Sequence, residues 1–263
     1  MSGSLSKSEQ GSALPFDPTH NQSLTDERRD LAAAFRWTAR LDMHEAVANH
    51  FSLAVDAEGR RFLMNPGSRH FARLKASDML LIDAAAENGG PDGDKLDPTA
   101  WALHGAIHRN HPQIRCVLHV HSHYATALSV LQDCVLPPID QTSMRFFRRM
   151  TVDEGFDGMG LGDEAERVAR AADPDKPILV LANHGVMAFG RDTAEAFDRL
   201  YHFERACRTY LTALASGIPL RVASDEVAEK TARQWEGIDS DFPREHLEEL
   251  KAILDLEEPD YAD

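Results

Sequence analysis

The chain has 263 residues, of which 43% are hydrophobic and 27% are charged, a composition that readily supplies a large apolar core. Its formal net charge of −15 argues against a nucleic-acid partner and an anionic membrane surface, because both are bound through clustered Lys and Arg side chains. The three cysteines form no close pair and no apolar stretch approaches the roughly 20 residues of a membrane-spanning helix, so a cytoplasmic protein without disulfides is expected.

Residues 1–23 are rich in small polar side chains and have no apolar central region, which predicts a disordered leader rather than a signal peptide. No internal repeat and no Pro/Gly-rich linker follows, which favours a single folded domain at residues 24–222. Residues 223–263 carry a dense run of acidic side chains and predict a helical C-terminal extension that packs on this domain.

The spacing of apolar residues predicts strands that alternate with helices over the first two thirds of the chain. In chain order these are a helix at residues 26–44, strands at 51–55, 61–64 and 79–82, a helix beginning at 97, a strand at 114–121, helices at 124–131 and 163–172, and a strand at 177–182. Helices at residues 193–215, 224–235 and 244–256 complete the chain. The pattern is typical of an α/β domain with a helical C-terminal layer, and the segment after Pro137-Pro138 has no prediction.

Two histidines stand two residues apart in the predicted strand at residues 114–121. Side chains at such positions project from the same face of a strand, so His119 and His121 can bind one ion together. Burying two imidazoles without partners would cost roughly 1–3 kcal/mol for each unsatisfied group. A His-x-His pair is by itself weak evidence, because many such pairs lie on the surface or are hydrogen-bonded.

A third histidine, His184, follows the apolar strand predicted at residues 177–182. Gly185 comes next and allows the backbone to turn or another group to approach closely. Histidines at two strand ends indicate a ligand site at one edge of the sheet. Three neutral imidazoles with an open position form the arrangement that catalytic zinc uses, although His184 alone is equally explained as an ordinary strand-end residue.

Four segments in this order resemble the class II aldolase/adducin family. They are LHGAIH at residues 103–108, HP at 111–112, CVLHVH at 116–121 and LANHGV at 181–186. Two earlier segments, NHFS at residues 49–52 and NPG at 65–67, fit earlier loops of that family. The resemblance covers residues 25–220 and is strongest to the adducin-like branch.

The resemblance implies a single α/β domain with a mixed, largely antiparallel central sheet between helical layers. It also implies that His119, His121 and His184 are the ligands of one divalent metal ion per chain. Zinc is the first expectation, with iron or manganese as alternatives, because imidazole suits several metals. Enzymes of the family are commonly tetramers with the site near a subunit contact, so a homo-oligomer is expected.

The main departure from the family's aldolases and epimerases is at Ala100. Their acidic residue, which acts as acid/base or extra ligand, aligns with this position, and alanine can serve neither purpose. Asp97 is a nearby catalytic candidate, but it is also the predicted N-cap of a helix that begins at Pro98, which would commit its oxygens to backbone N–H groups. His123 and Tyr124 are further catalytic candidates because they follow the metal strand, and both are equally explained as residues of a helix N-terminus.

The positions that bind phosphate in the family also differ, which argues against a phosphorylated substrate. A Gly-Asn turn of the family aligns with residues 49–50 and a pair of serines aligns with residues 98–99, so few hydroxyl donors remain. The substrate-binding candidates are therefore His50, Ser52 and Gln141.

Other polar residues are expected to have structural roles. His104 and His108 stand four residues apart on a predicted helix and could bind a metal, but hydrogen bonds within the helix–sheet layer are the favoured interpretation. A basic cluster is expected to form a solvated helix face rather than an anion site. It comprises Arg145, Arg148 and Arg149.

These observations favour a metal-dependent carbon–carbon lyase, of aldolase or decarboxylase type, acting on a small unphosphorylated hydroxy or oxo compound. The ion would act as a Lewis acid. One alternative is a non-catalytic binding module like the adducin head, which the absence of an acid at Ala100 favours. A second is an oxygenase with iron in the same three-histidine site, since oxygen chemistry needs open coordination positions more than a proton donor.

Overall fold

A computed structural model describes residues 24–86, 89–90, 92–158, 163–238 and 240–263, and the leader predicted at residues 1–23 lies outside these ranges. The strands of the central sheet are β1 (His50–Ala54), β2 (Arg61–Met64), β3 (Leu80–Asp83), β4 (Cys116–Val120), β5 (Met150–Asp153), β6 (Ile178–Leu181) and β7 (Gly185–Gly190). Their order across the sheet is β3-β2-β1-β4-β7-β6-β5, and each neighbouring pair is antiparallel except β5 and β6. The mixed, largely antiparallel sheet that the family resemblance implies is confirmed.

The helices of the described residues are α1 (Thr25–Arg40), α2 (Pro98–Asn110), α3 (His123–Ser129), α4 (Gln141–Met144), α5 (Glu164–Ala171), α6 (Thr193–Leu214), α7 (Asp225–Ile238) and α8 (Phe242–Glu257). Apolar side chains of α1, α3 and α6 form the main core with one face of the sheet. Those of α2 and α5 pack on the opposite face. The chain is thus a single α/β domain with its sheet between helical layers. None of the described helices combines the length and the apolar character needed to cross a bilayer.

Alternation along β4 decides which side chains reach each helical layer. Leu118 and Val120 belong to the core shared with α1 and α6, whereas Val117 packs with α2 and α5. His119 lies between the first two, so its side chain points to the face covered by α2 and α5, because successive strand residues face opposite sides. His50 pairs with His119 across β1 and β4, so both imidazoles stand on this face.

Several elements differ from the predictions. The predicted strand ends before His184, but the chain turns back there and forms β7, which pairs with both β4 and β6. This segment is four apolar residues between two glycines, and its strand conformation depends on neighbours on both sides. The first helix ends at Arg40 rather than at residue 44, and Asp42 beyond it has a positive φ of 56°. The segment without a prediction forms α4 and the edge strand β5.

The C-terminal helix α8 lies against α1 and α6. Three side chains of this region are buried against alanines of α1 and α6: Leu247, Leu254 and Tyr261. Asp30 of α1 accepts hydrogen bonds from Arg244 at 2.5 Å and from Lys251 at 2.9 Å. These contacts attach the C-terminal region to the domain, while the boundary placed after residue 222 stays a prediction.

Two of the three basic residues that follow α4 are covered by the acidic helix α7. Arg149 donates to Glu229 at 2.7 Å and to Glu236 at 2.8 Å, and its side chain is 15% exposed. Arg145 is buried and its guanidinium lies 4.9 Å from the ring centroid of Trp235. The expectation of a solvated basic face is therefore wrong for these two arginines, because the prediction could not place α7 over them.

A buried carboxylate on α6 links these elements to the C-terminal helix. Asp198 is fully buried and accepts hydrogen bonds from Arg145 at 2.7 Å and from His246 of α8 at 2.8 Å. Burial opposes ionisation of this carboxyl group, but contacts from His202, His246 and Arg145 outweigh it and hold the pKa of Asp198 well below its usual value. Asp198 is consequently an ionised group that joins three helical segments, α4, α6 and α8.

Replacing Asp198 with Asn is expected to lower the free energy of unfolding by about 3–5 kcal/mol at neutral pH, because a buried ion pair loses one charge. The folded pKa of Asp198 is depressed, so its stabilising contribution is present above the usual carboxyl pKa of about 3.9 and is lost as the pH falls towards the folded value. The difference in the free energy of unfolding between wild type and Asp198→Asn should therefore become smaller in acid. Urea denaturation at neutral and acid pH measures it.

Asp225→Asn is the matched control, because Asp225 pairs with Arg148 at 2.7 Å but both side chains are more than half exposed. Removing a surface pair of this kind changes stability by about 1 kcal/mol at most. An Asp198→Asn protein as stable as this control would contradict the structural role given to the buried carboxylate.

Candidate metal centre and its cavity

Three histidines converge at one end of the sheet. His119 lies in β4, His121 follows the end of that strand, and His184 lies in the turn between β6 and β7. One ring nitrogen from each residue can be chosen so that all three lie within 4.8 Å of one another. The ring centroids are 4.7 to 4.9 Å apart. Such a group could hold one metal ion.

The turn between β6 and β7 needs the residues found there. Asn183 has a φ of 59°, a left-handed conformation that asparagine tolerates better than most residues. A Cβ atom on Gly185 would lie 2.6 Å from the backbone oxygen of Val120. Any side chain at this position would push β7 away from β4, and His184 would move with it.

Hydrogen bonds fix which nitrogen of two imidazoles carries the proton. His119 Nδ1 lies 3.1 Å from the carbonyl oxygen of Val186, and His121 Nδ1 lies 2.6 Å from a carboxylate oxygen of Glu45. Both oxygens can only accept, so each Nδ1 donates and each neutral ring keeps a lone pair on Nε2. The two Nε2 atoms are 3.0 Å apart.

Two lone pairs at this distance repel each other unless a cation or a shared proton lies between them. Burial and the neighbouring imidazoles lower the pKa of His119 well below its usual value, and burial lowers the pKa of His184 to about 4. Neutral imidazoles are the form that binds metals. The donor set therefore fits a divalent transition metal ion.

Glu45 is part of this arrangement and was not identified from the sequence. It lies in the connection before β1, and its carboxylate contacts His121 although its side chain is 63% exposed. A carboxylate on the second nitrogen of a metal-binding histidine orients the ring and raises its basicity. No motif marks Glu45, because the contact depends on how the connection folds back over β4.

A cavity of about 320 Å³ adjoins the three histidines. Its apolar wall comes mainly from α2, α5 and β6: Leu103, Phe156, Ala165, Val168 and Leu181. Its polar lining, apart from the three histidines, is His50, Asp97, Thr99, Glu164 and Asn183. A space of this size suits a small molecule.

Asp97 lines the cavity and also caps α2, as its sequence position predicts. Its Oδ1 accepts hydrogen bonds from the backbone N–H of Thr99 at 2.9 Å and of Ala100 at 3.1 Å, and one from the Thr99 hydroxyl. Burial raises the pKa of Asp97, but these hydrogen bonds outweigh it and lower the pKa. The carboxylate is therefore ionised and a poor proton donor.

The other two catalytic candidates and Gln141 are not among the residues that line this cavity. His123 is exposed and packs against Tyr124 edge to face. Tyr124 lies under the guanidinium of Arg208, 5.6 Å from the ring centroid. Gln141 is exposed at the start of α4 and accepts a hydrogen bond from Trp235 through its backbone oxygen. Catalytic or substrate-binding roles for these residues stay predictions.

His50 lines the cavity, and Ser52 lies buried behind it in a chain of hydrogen bonds. His50 Nδ1 is 2.7 Å from His104 Nε2, and His104 Nδ1 contacts the Ser52 hydroxyl. The same hydroxyl is 2.7 Å from His108 Nε2, and His108 Nδ1 is 2.9 Å from the backbone oxygen of Ile114. The expected hydrogen-bonding role of His104 and His108 in the helix–sheet layer is confirmed.

Glu164 is a polar residue of the cavity that the sequence analysis missed. It begins α5, is 9% exposed, and its Oε1 accepts a hydrogen bond from Arg167 at 3.1 Å. Its Oε2 is buried and receives no hydrogen bond within the part of the chain that the structure describes. A buried carboxylate oxygen without a donor is costly, which favours a functional explanation. The sequence offers no signal for it, because acidic residues commonly begin helices.

The comparisons with known proteins agree with this architecture. The family described as Class II Aldolase and Adducin N-terminal domain matches residues 29–211. The crystal structure of an aldolase II superfamily protein from Pseudomonas syringae is similar with a TM-score of 0.82 at 27% sequence identity, covering 95% of this chain and 98% of that one.

Two sequence relatives show how different the proteins with this domain are. Decarboxylase NovR of Streptomyces niveus is 29% identical over 205 residues, which are 77% of this chain and 75% of the relative. Beta-adducin of Homo sapiens is 30% identical over 171 residues, which are 64% of this chain and 23% of the adducin. The similarity to the adducin therefore concerns a minor part of that protein.

Proposed function

The chain belongs to the class II aldolase and adducin family, and from this premise we propose that it is a metal-dependent carbon–carbon lyase. One observation carries the proposal. The Nε2 atoms of His119 and His121, each with a lone pair, lie 3.0 Å apart and beside His184 at the wall of a cavity. Similarity to a protein named as a decarboxylase supports the lyase class. We further propose zinc as the ion and a cytoplasmic homo-oligomer as the working form.

His119, His121 and His184 would hold the ion, and His50 and Asp97 form the adjacent polar wall. When bound, a divalent ion supplies Lewis-acid stabilisation of the negative charge that develops on substrate oxygens. The apolar wall of the cavity excludes water from the reacting carbon and strengthens the electrostatic interactions around it.

A lyase of this type also needs a group that moves a proton. When the carbon–carbon bond breaks, the electron pair stays on one carbon, which then takes up a proton. In an aldol cleavage the departing fragment also loses a hydroxyl proton as it becomes a carbonyl compound. We propose that Glu164 carries this proton, because it is a residue of the cavity lining and its carboxylate oxygen Oε2 receives no hydrogen bond among the described residues.

The lining of the cavity supports an unphosphorylated substrate. Among the described residues that line it, none is Lys or Arg, and both Asp97 and Glu164 bear acidic side chains. Phosphate recognition uses charge-assisted donors, which Arg and Lys supply best. A small hydroxy or oxo compound whose oxygens bind the metal is therefore the substrate class that we propose.

Protein purified without added metal is expected to contain about one zinc ion per chain and to release an aldehyde or carbon dioxide without consuming oxygen. Metal analysis together with turnover of a panel of small hydroxy and oxo acids, in air and under nitrogen, tests this. Iron content with oxygen-dependent turnover would instead support the oxygenase alternative. Folded protein with little metal and no turnover would support a binding module.

A further inference from the structure

The chain of hydrogen bonds behind the cavity has a direction that can be determined from its buried end. We infer that it holds His50 as a hydrogen-bond acceptor in the cavity, so that the site selects a ligand with a hydroxyl group over the corresponding carbonyl compound. The inference rests on the proposed function for the location of the ligand. It narrows the proposed substrate class to compounds that carry a hydroxyl group where the ligand meets His50.

The direction is set at Ile114. Its backbone carbonyl oxygen has no proton to give, so His108 Nδ1, at 2.9 Å, must be the donor. Burial lowers the pKa of His108 to about 4, so the ring is neutral at physiological pH and carries a single N–H. His108 Nε2 therefore keeps a lone pair.

The Ser52 hydroxyl lies between His108 and His104 and determines which nitrogen of His104 is protonated. Its Oγ lies 2.7 Å from His108 Nε2, so the hydroxyl must donate its only proton to that nitrogen. The same oxygen then accepts a proton from His104 Nδ1, which leaves the lone pair of His104 on Nε2. His50 Nδ1 lies 2.7 Å from His104 Nε2 and must donate to it.

His50 is therefore left with its proton on Nδ1 and a lone pair on Nε2. The ring forms part of the cavity wall close to the metal centre, with its centroid 4.8 Å from that of His119. Over the ranges that the structure describes, no donor lies within hydrogen-bond distance of Nε2. If every hydrogen bond in this series ran in the opposite direction, a lone pair of His108 would lie against the carbonyl oxygen of Ile114. The other tautomer of His50 is therefore disfavoured.

An acceptor fixed in this way distinguishes two ligands that differ by two hydrogens. A hydroxyl group can donate to His50 Nε2, whereas a carbonyl oxygen would bring a lone pair against the lone pair of the nitrogen. Sites built to hydrogen-bond a hydroxyl group discriminate strongly against analogues that lack it, because their own polar groups are then left without a partner.

Lactate and pyruvate are suitable probes, because they share a carbon skeleton and a carboxylate and differ in this one oxygen. Their dissociation constants on the zinc-loaded protein, measured by isothermal titration calorimetry, give a preference ratio. His50→Gln places an amide that can donate as well as accept, so the preference for lactate should fall about tenfold relative to wild type. The metal's own preference is common to both proteins and cancels.

Two further variants complete the comparison. Ser52→Ala interrupts the chain without touching the cavity and should reduce the preference severalfold, because His50 can then adopt either tautomer. Glu166→Gln changes an exposed side chain outside the cavity and should leave the ratio unchanged. If Ser52→Ala does not fold, His50→Gln carries the test alone.

Long-range ¹H–¹⁵N spectra of the histidine rings in the zinc-loaded protein test the tautomer directly. The wild-type protein should show a protonated Nδ1 and an unprotonated Nε2 for His50, and Ser52→Ala should show a mixture. A proton on Nε2 in wild type, or an unchanged ratio in His50→Gln, would overturn the inference. Neither readout depends on turnover. A protein that gave both expected results but had no lyase activity would therefore contradict the proposed function and leave this inference standing.

Discussion

His119→Ala protein is expected to lose metal binding by more than about 100-fold while keeping its fold. Loss of a residue that merely orients a ligand typically costs about 10–100-fold in metal affinity, and His119 is proposed to be a ligand itself. Its neighbours in β4 are apolar and remain paired with β1 and β7, so the sheet should still form. Metal content after dialysis against a weak chelator, together with circular dichroism, measures both effects.

His123→Ala is the matched control, because it removes an exposed histidine two residues beyond His121. Its metal content should equal that of wild type. His121→Ala is a second test variant in case the buried substitution destabilises the chain, because the His121 side chain is 18% exposed. Normal metal content in both test variants would rule out the three-histidine assignment and the lyase proposal with it.

Glu45→Gln should give a smaller effect than either ligand substitution. The amide keeps a hydrogen bond to His121 Nδ1 but removes the negative charge that raises the basicity of the ring. The contact is partly exposed, so solvent screens part of that charge. We therefore expect Glu45→Gln to bind the metal less tightly than wild type but more tightly than His119→Ala or His121→Ala.

The histidine cluster was accessible from the sequence because each part has a local signal. His119 and His121 share one strand face by simple alternation, and the Asn-His-Gly segment ends a recognisable apolar strand. The cap of α2 was equally predictable, since Asp97 and Pro98 are the residue types that a helix N-terminus favours. These features depend on residues that are close in the chain.

The rest of the site depends on contacts between residues that are distant in the chain. Glu45 reaches His121 from a connection 76 positions earlier, and Glu164 enters the cavity from a helix whose position is set by packing on α2. The strand β7 likewise takes its conformation from β4 and β6 on either side. Hydrophobic periodicity and secondary-structure propensity describe local preferences, so they cannot predict contacts between residues that are distant in the chain.

Glu164→Gln is expected to lower turnover by about 100- to 10,000-fold without lowering the metal content. General acid–base groups contribute rate factors of this size. The amide has nearly the same shape as the carboxylate and can keep its contact with Arg167, but it cannot accept and return a proton. The measurement compares kcat and metal content of the variant and wild-type proteins on whichever compound the substrate screen identifies.

Glu166→Gln provides the control on the same helix. Glu166 lies two positions further along α5, and its side chain is 53% exposed and contacts Arg109 at 3.4 Å. Its loss should leave turnover unchanged, so a defect confined to Glu164→Gln would reflect the cavity rather than the helix. If Glu164→Gln retained full turnover with normal metal content, another group must move the proton. Ala100 cannot do so and the Asp97 carboxylate is engaged in capping α2, so His50, which also lines the cavity, would be the next residue to test, followed by groups from a neighbouring subunit.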